Sequence, residues 1–197
     1  MVLTRTLCAL AGLVMAGGCL SVLPEPDAPG ALYRIAPVEA GASLSRHVII
    51  REPEAPRLFA GRDMVVEGAD GGLRLVGGAE WAGRYTRLVQ LALIDALSGG
   101  EGMALDASSG APGDYELSWR VAEILVSDAR ARCVLDLNLL DGRTRAPVAA
   151  GKVSGGGAVT GSGPGDRARA LSMASRACVA AAAAFVAEKA AADRPAS

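Results

Sequence analysis

The sequence predicts an α+β fold: a mostly antiparallel sheet with two main helices packed on one face. Three observations predict it. Residues 115–139 contain two runs in which apolar and polar residues alternate, the period of half-buried strands. Residues 80–97 and 166–191 instead repeat apolar residues at helical spacing. The strand-like runs between residues 115 and 154 are joined by short connections, which suit antiparallel neighbours.

Taken in chain order, residues 1–18 read as a removable signal. Arg5 is the lone charge, residues 7–16 are apolar, and the run is too short to span a bilayer. Ala16-Gly17-Gly18-Cys19 resembles the lipobox of bacterial lipoproteins, in which cleavage falls just before the cysteine. The thiol of Cys19 would become the thioether to diacylglycerol, and two or three acyl chains hold a protein stably on a membrane. The alternative is an ordinary secretory signal with a chance cysteine. Leu20, not Asp, follows Cys19, which by resemblance to lipoprotein sorting favours the outer membrane.

Residues 19–32 hold Pro24, Pro26 and Pro29, which suit neither a helix nor a central strand. They read as a lipidated tether reaching up to roughly 40 Å. A single domain is expected over residues 33–192, and a disordered tail over 193–197.

Within the domain, residues 47–51 (HVIIR) read as a strand ended by Pro53 and Pro56. Residues 64–67 and 73–76 read as a hairpin around Gly68-Ala69-Asp70-Gly71-Gly72. The first helix is expected over 80–97, on a stripe of Trp81, Tyr85, Leu88, Ala92 and Ala96 widened by Val89, Leu93 and Leu97, with Ser98-Gly99-Gly100 stopping it. Trp81 is read as its core anchor. Residues 103–105 are a short strand. Tyr115, Leu117, Trp119 and Val121 share one face of the next, and the phase then flips to Ile124 and Val126, which predicts a bulge. Cys133, Leu135, Leu137 and Leu139 form the inner face of the following strand, and Asp141-Gly142 marks a turn. Residues 147–154 are a weaker strand, and 155–165 a flexible glycine-rich loop. Asp166 caps or charges the start of the last helix, whose stripe is Leu171, Ala174, Cys178, Ala181 and Phe185.

Composition narrows function. The 197 residues are 51% hydrophobic and 21% charged, which is globular, with aromatics at only 4%, so few large side chains anchor the core. Without residues 1–18 there remain 19 basic and 21 acidic residues. There is no basic stripe for nucleic acid and no polybasic patch for anionic lipid. His47 is the single histidine and cannot make a metal site alone. Lys152 is followed by Val153 and has Ala146 where a Walker loop needs glycine, so nucleotide binding is rejected. Gly161-Ser162-Gly163-Pro164-Gly165 has the wrong spacing for a nucleophile elbow. Asp136 and Asp141 fit a wet strand face and a turn better than paired catalysis. No catalytic residue, metal or cofactor is expected beyond the diacylglycerol and N-acyl chain on Cys19.

Cys133 and Cys178 are the cysteines left after processing. They are either a disulfide tying helix to sheet or two buried thiols. The usual separation of helix and strand layers exceeds the roughly 7 Å that Cα atoms can span, which favours the thiols.

Several of these residues together resemble one family. Tyr33-Arg34-Ile35, the strand at His47-Val48-Ile49-Ile50, Pro53, the hairpin, Glu80-Trp81-Ala82, the strands at 114–124 and 134–141 and the alanine-rich last helix resemble the ABC-type transport auxiliary lipoproteins. These are the PqiC-like lipoproteins of mammalian-cell-entry (MCE) transport systems. The resemblance implies a non-enzymatic role beside ABC transporter subunits and an MCE-domain substrate-binding protein. Such systems move lipid between inner and outer membranes and support membrane integrity, and the lipoprotein acts there alone or as a homo-oligomer. Two alternatives stay open: another periplasmic assembly or regulatory lipoprotein, such as a peptidoglycan synthase activator or outer-membrane assembly factor, or a direct lipid carrier with a cavity between helices and sheet.

Overall fold

A computed structural model describes residues 30–38 and 42–192. Cys19, the tether up to residue 29 and the tail at 193–197 lie outside the described residues. The spine of the fold is β6 (Tyr115–Val126), paired antiparallel along its length with β7 (Arg130–Asp141). β7 in turn pairs with β8 (Pro147–Ala158), so residues 115–158 form one long meander. The other edge of β6 is shared. β2 (Val48–Ile50) lies parallel to its start, and β3 (Asp63–Glu67) meets its last residue, Val126. β5 (Ala104–Asp106) extends the sheet beyond β2. β4 (Leu73–Trp81) closes the hairpin with β3, and β1 (Leu32–Tyr33) runs parallel to the end of β4. The result is an eight-stranded, mostly antiparallel sheet.

The phase flip expected after Val121 is present, because the β6–β7 register shifts between Val121 and Glu123. Tyr115, Leu117, Trp119 and Val121 are buried before the shift, and Ile124 and Val126 after it. The hairpin turn uses Gly71 at φ 74°, the left-handed region that glycine enters without strain.

Two helices roof one face. α2 (Tyr85–Ala96) buries Tyr85, Val89, Leu93 and Ala96 of the expected stripe, while Leu88 and Ala92 lie half-buried at its edge. α3 (Pro164–Ala192) lies over β7 and β8 and buries Leu171, Ala174, Cys178, Val179, Ala182 and Val186. Asp166 reaches back from its first turn to accept a bond from the Gly163 N–H at 3.1 Å. Among the described residues α3 alone is long and apolar enough to cross a bilayer, yet half of its most apolar window is buried within the fold. It is the core helix of the domain.

Three expectations change. Glu80 and Trp81 end β4 instead of opening a helix. Trp81 N–H donates to Arg62 O at 2.8 Å, and Tyr33 pairs with Trp81 across the strand edge, so the backbone there is already committed to the sheet. The helix starts five residues later than expected, at Tyr85. Second, residues 155–158 are not loop but the last third of β8, and only 159–163 connect to α3. Their glycines serve close packing. A Cβ on Gly155 would overlap Ala174 O and Cys178 N, and one on Gly157 would overlap Ala170 O. Third, a four-residue helix, α1 (Arg57–Ala60), follows Pro56 and sets Phe59 into the core. Proline is a good residue with which to enter a helix, so Pro56 both ends the extended segment and begins this turn.

Candidate functional site

Two surfaces and one buried cluster gather the polar and apolar features of the domain. The first surface lies on the helical side. After β1, Arg34 to Val38 crosses toward α2, held by α3: Ala36 N–H donates to Ser172 Oγ at 2.9 Å, and Ser172 Oγ–H donates to Arg34 O at 2.8 Å. Between this segment and α2 lies a groove of about 550 Å³ walled by Ile35, Pro37, Val38, Leu88, Leu91 and Ala92, with Arg34 and Asp95 also on its lining. Val38 also borders a second hollow of about 440 Å³ against Ala180, Ala183, Ala184 and Ala187 of α3. Both are surface grooves, not the cavity between helices and sheet that a carrier requires. At that inner interface Ala174 and Ala182 are fully buried, and their small size lets α3 sit close to the strands.

The second surface is the open face of the sheet, a lattice of cross-strand ion pairs. Asp136 on β7 is flanked by Arg120 of β6 at 2.5 Å and Lys152 of β8 at 3.4 Å, its two register neighbours. Those two cations, Arg120 first, hold the Asp136 carboxyl below its ordinary value. Glu116 is bridged by Arg51 and Arg145. Burial works against its ionisation, but the two guanidinium groups outweigh it and lower its pKa. Asp141 sits at the turn, as expected, accepting from Arg143 N–H at 3.1 Å and Thr144 N–H at 2.6 Å. Exposed pairs of this kind contribute little each, about 0–1 kcal/mol, and serve mainly to fill a wet face with matched charge.

Asp106 ties the helical side to the sheet. It accepts from the Ser108 N–H at 2.9 Å and from Arg87 of α2 at 2.5 Å. Gln90, also on α2, donates to Ile50 O of β2 at 2.9 Å. The Ser108 N–H, then Arg87, lower the Asp106 pKa from 3.8 to about 2. A carboxyl whose folded pKa is depressed adds stability above its unfolded pKa and loses it as pH falls through the folded one. Stability should therefore decline between about pH 4 and pH 2. Asp106→Asn should show a smaller drop in urea midpoint between about pH 6 and pH 3 than the parent chain. Equal drops in the two chains would refute this role.

The buried cluster joins α2, β7 and α3. Tyr85 Oη lies 3.0 Å from Ser175 Oγ and 3.5 Å from Cys133 Sγ. Ser175 Oγ–H also returns to Leu171 O at 2.8 Å within α3. Cys178 Sγ lies 3.9 Å from Val153 O. Burial, then the Cys133 thiol, push the Tyr85 phenol well above its ordinary pKa. The Cys133 thiol, then burial, push the Cys178 thiol up likewise. Both thiols are free in the structure and wholly buried.

His47 has a structural place. It is exposed just before β2, and its Nδ1 accepts the Met103 N–H at 3.1 Å, clasping the approach to β5. Among the described residues no group of three or more His, Cys, Asp or Glu side chains could hold a metal ion. The described residues thus present a largely apolar groove on the helical side and an ion-paired face on the open side of the sheet.

The chain belongs to the family of ABC-type transport auxiliary lipoprotein components, whose profile it matches over residues 32–183. No curated protein matches it. Among solved structures, a protein from Xanthomonas campestris is 18% identical, with a TM-score of 0.71 over 83% of this chain and 98% of that one. An uncharacterised protein is 15% identical, with a TM-score of 0.61 over 80% and 96%. A hypothetical protein from Chlamydia trachomatis is 8% identical, with a TM-score of 0.51 over 76% and 100%. At such identities these likenesses establish the fold.

Proposed function

We propose that the protein is an outer-membrane lipoprotein acting as a non-enzymatic auxiliary component of an ABC transport system with an MCE-domain substrate-binding protein, one that moves lipid between the inner and outer membranes. The observation that carries this reading is the family match across nearly the whole folded domain. In this reading residues 1–18 are cut away, Cys19 carries the lipid, and residues 19–32 set the distance between membrane and domain. The domain's work is then positional: it offers docking surfaces to the transport assembly from a fixed height.

A tagged chain solubilised from membranes is expected to bring down MCE-domain and ABC subunits. Recovery of peptidoglycan synthases in their place would favour the regulatory alternative. Cys19→Ala should leave the urea midpoint of the domain unchanged, move the protein from the outer-membrane fraction to the soluble periplasm, and abolish rescue of a deletion strain. Full rescue by the soluble variant would defeat the positional account.

A further inference from the structure

The sequence alone favours free thiols at Cys133 and Cys178, because helix and strand layers usually stand too far apart for a bond. In the structure the two layers come unusually close at these residues. Gly155 is the register partner of Cys133 across β7 and β8. Gly155 has no side chain, and a Cβ there would overlap the backbone N of Cys178 and the carbonyl of Ala174. The backbone of α3 therefore rests directly on the strand beside Cys133. Cys133 is buried on the inner face of β7, and Cys178 is buried on the face of α3 that meets it. They are the cysteines among the described residues, and the fold brings them together from 45 positions apart in sequence.

We propose that Cys133 and Cys178 are a cross-linking site, joined by a disulfide that fastens α3 to the sheet. The inference rests on the export reading above, since an oxidising compartment is where such bonds form and persist. The oxidant is a dithiol–disulfide oxidoreductase. One cysteine thiolate attacks the oxidant's disulfide to give a mixed disulfide, and the second thiolate then displaces the oxidant's sulfur. One S–S bond forms, the two cysteines lose two protons and two electrons, and the oxidant leaves as a dithiol. Only the thiolate attacks, and in the finished fold the neighbouring Cys133 thiol, then burial, push the Cys178 thiol up and keep it protonated. The bond is therefore made as the chain folds, before α3 seats over Gly155.

The test uses the full chain with its own leader, recovered from membranes and denatured in SDS with a polyethylene-glycol maleimide. Before reduction, Cys133 and Cys178 should take no label. After reduction with a phosphine, both should. Cys133→Ala and Cys178→Ala should each expose the partner thiol to label without reduction, a result read on denatured protein and so indifferent to folding. Label on both cysteines of the parent chain before reduction, mapped by peptide mass spectrometry, would overturn the proposal. Failure of the lipoprotein reading registers elsewhere: Cys19 would then take label itself. Cys19 labelled with Cys133 and Cys178 protected leaves the cross-link standing. Cys19 lipidated with both others labelled removes the cross-link alone.

Discussion

Gly155→Ala should cost about 3 kcal/mol of stability, at the upper end of what overpacking a core costs. The added methyl would overlap main-chain atoms of α3 at Ala174 and Cys178, and main chain cannot rotate away as a side chain does. Relief requires lifting α3 from the sheet, which would loosen Leu171, Ala174 and Cys178, all fully buried. Against a typical total of about 5–15 kcal/mol such a loss is large. Gly156→Ala is the control. Its Cβ would point to the open face and meet nothing nearer than Ala131 O at 3.9 Å. That change should fall within about 0.5 kcal/mol of the parent. Urea unfolding of the two variants decides the matter, because they add the same methyl one residue apart. Equal midpoints would mean that α3 yields easily and that the glycines of β8 are there for another reason.

Trp81→Ala should lose about 3–5 kcal/mol, the range for truncating a large buried aromatic. Trp81 is 1% exposed, and its ring centroid lies 5.0 Å from that of Tyr85 in a tilted arrangement. It thus couples the end of β4 to the first turn of α2. In a chain so poor in aromatics few neighbours can expand to fill the vacated volume. The expected readout is a lower urea midpoint with an unchanged slope, and a weakened near-ultraviolet circular dichroism signal. A midpoint within about 1 kcal/mol of the parent would show that the site collapses without harm.

The strands of the meander were legible because each keeps one face dry and one wet, so period and phase are written in the residues. Even the bulge after Val121 could be read from the change of phase. Trp81 misled for a physical reason. Trp81, Tyr85 and Leu88 stand four and three apart, which fits a helical stripe, but the aromatic pair bridges a strand end and a helix start. Residues 155–158 misled because glycine signals freedom in sequence, whereas here a helix backbone presses against it. The parallel pairings of β1, β2 and β3 join segments distant in sequence, and no local pattern encodes them. The burial of Cys133 and Cys178 was legible from their faces. Their meeting was not, since it depends on Gly155 standing beside one and beneath the other.

The central position of β6 bears on the order in which the chain can mature. β2 and β3 reach the main sheet only through β6, and β5 only through β2. β6, β7, β8 and α3 pack chiefly on their immediate neighbours in sequence, whose loops close cheaply. A chain threaded N-terminus first across a membrane thus delivers its dependent strands before the strand that organises them. The hairpin of β3 and β4 and the pair of β2 and β5 can form early, but neither joins the main sheet until β6 arrives. On the proposed export reading, the route must keep the leading half from aggregating until β6 emerges.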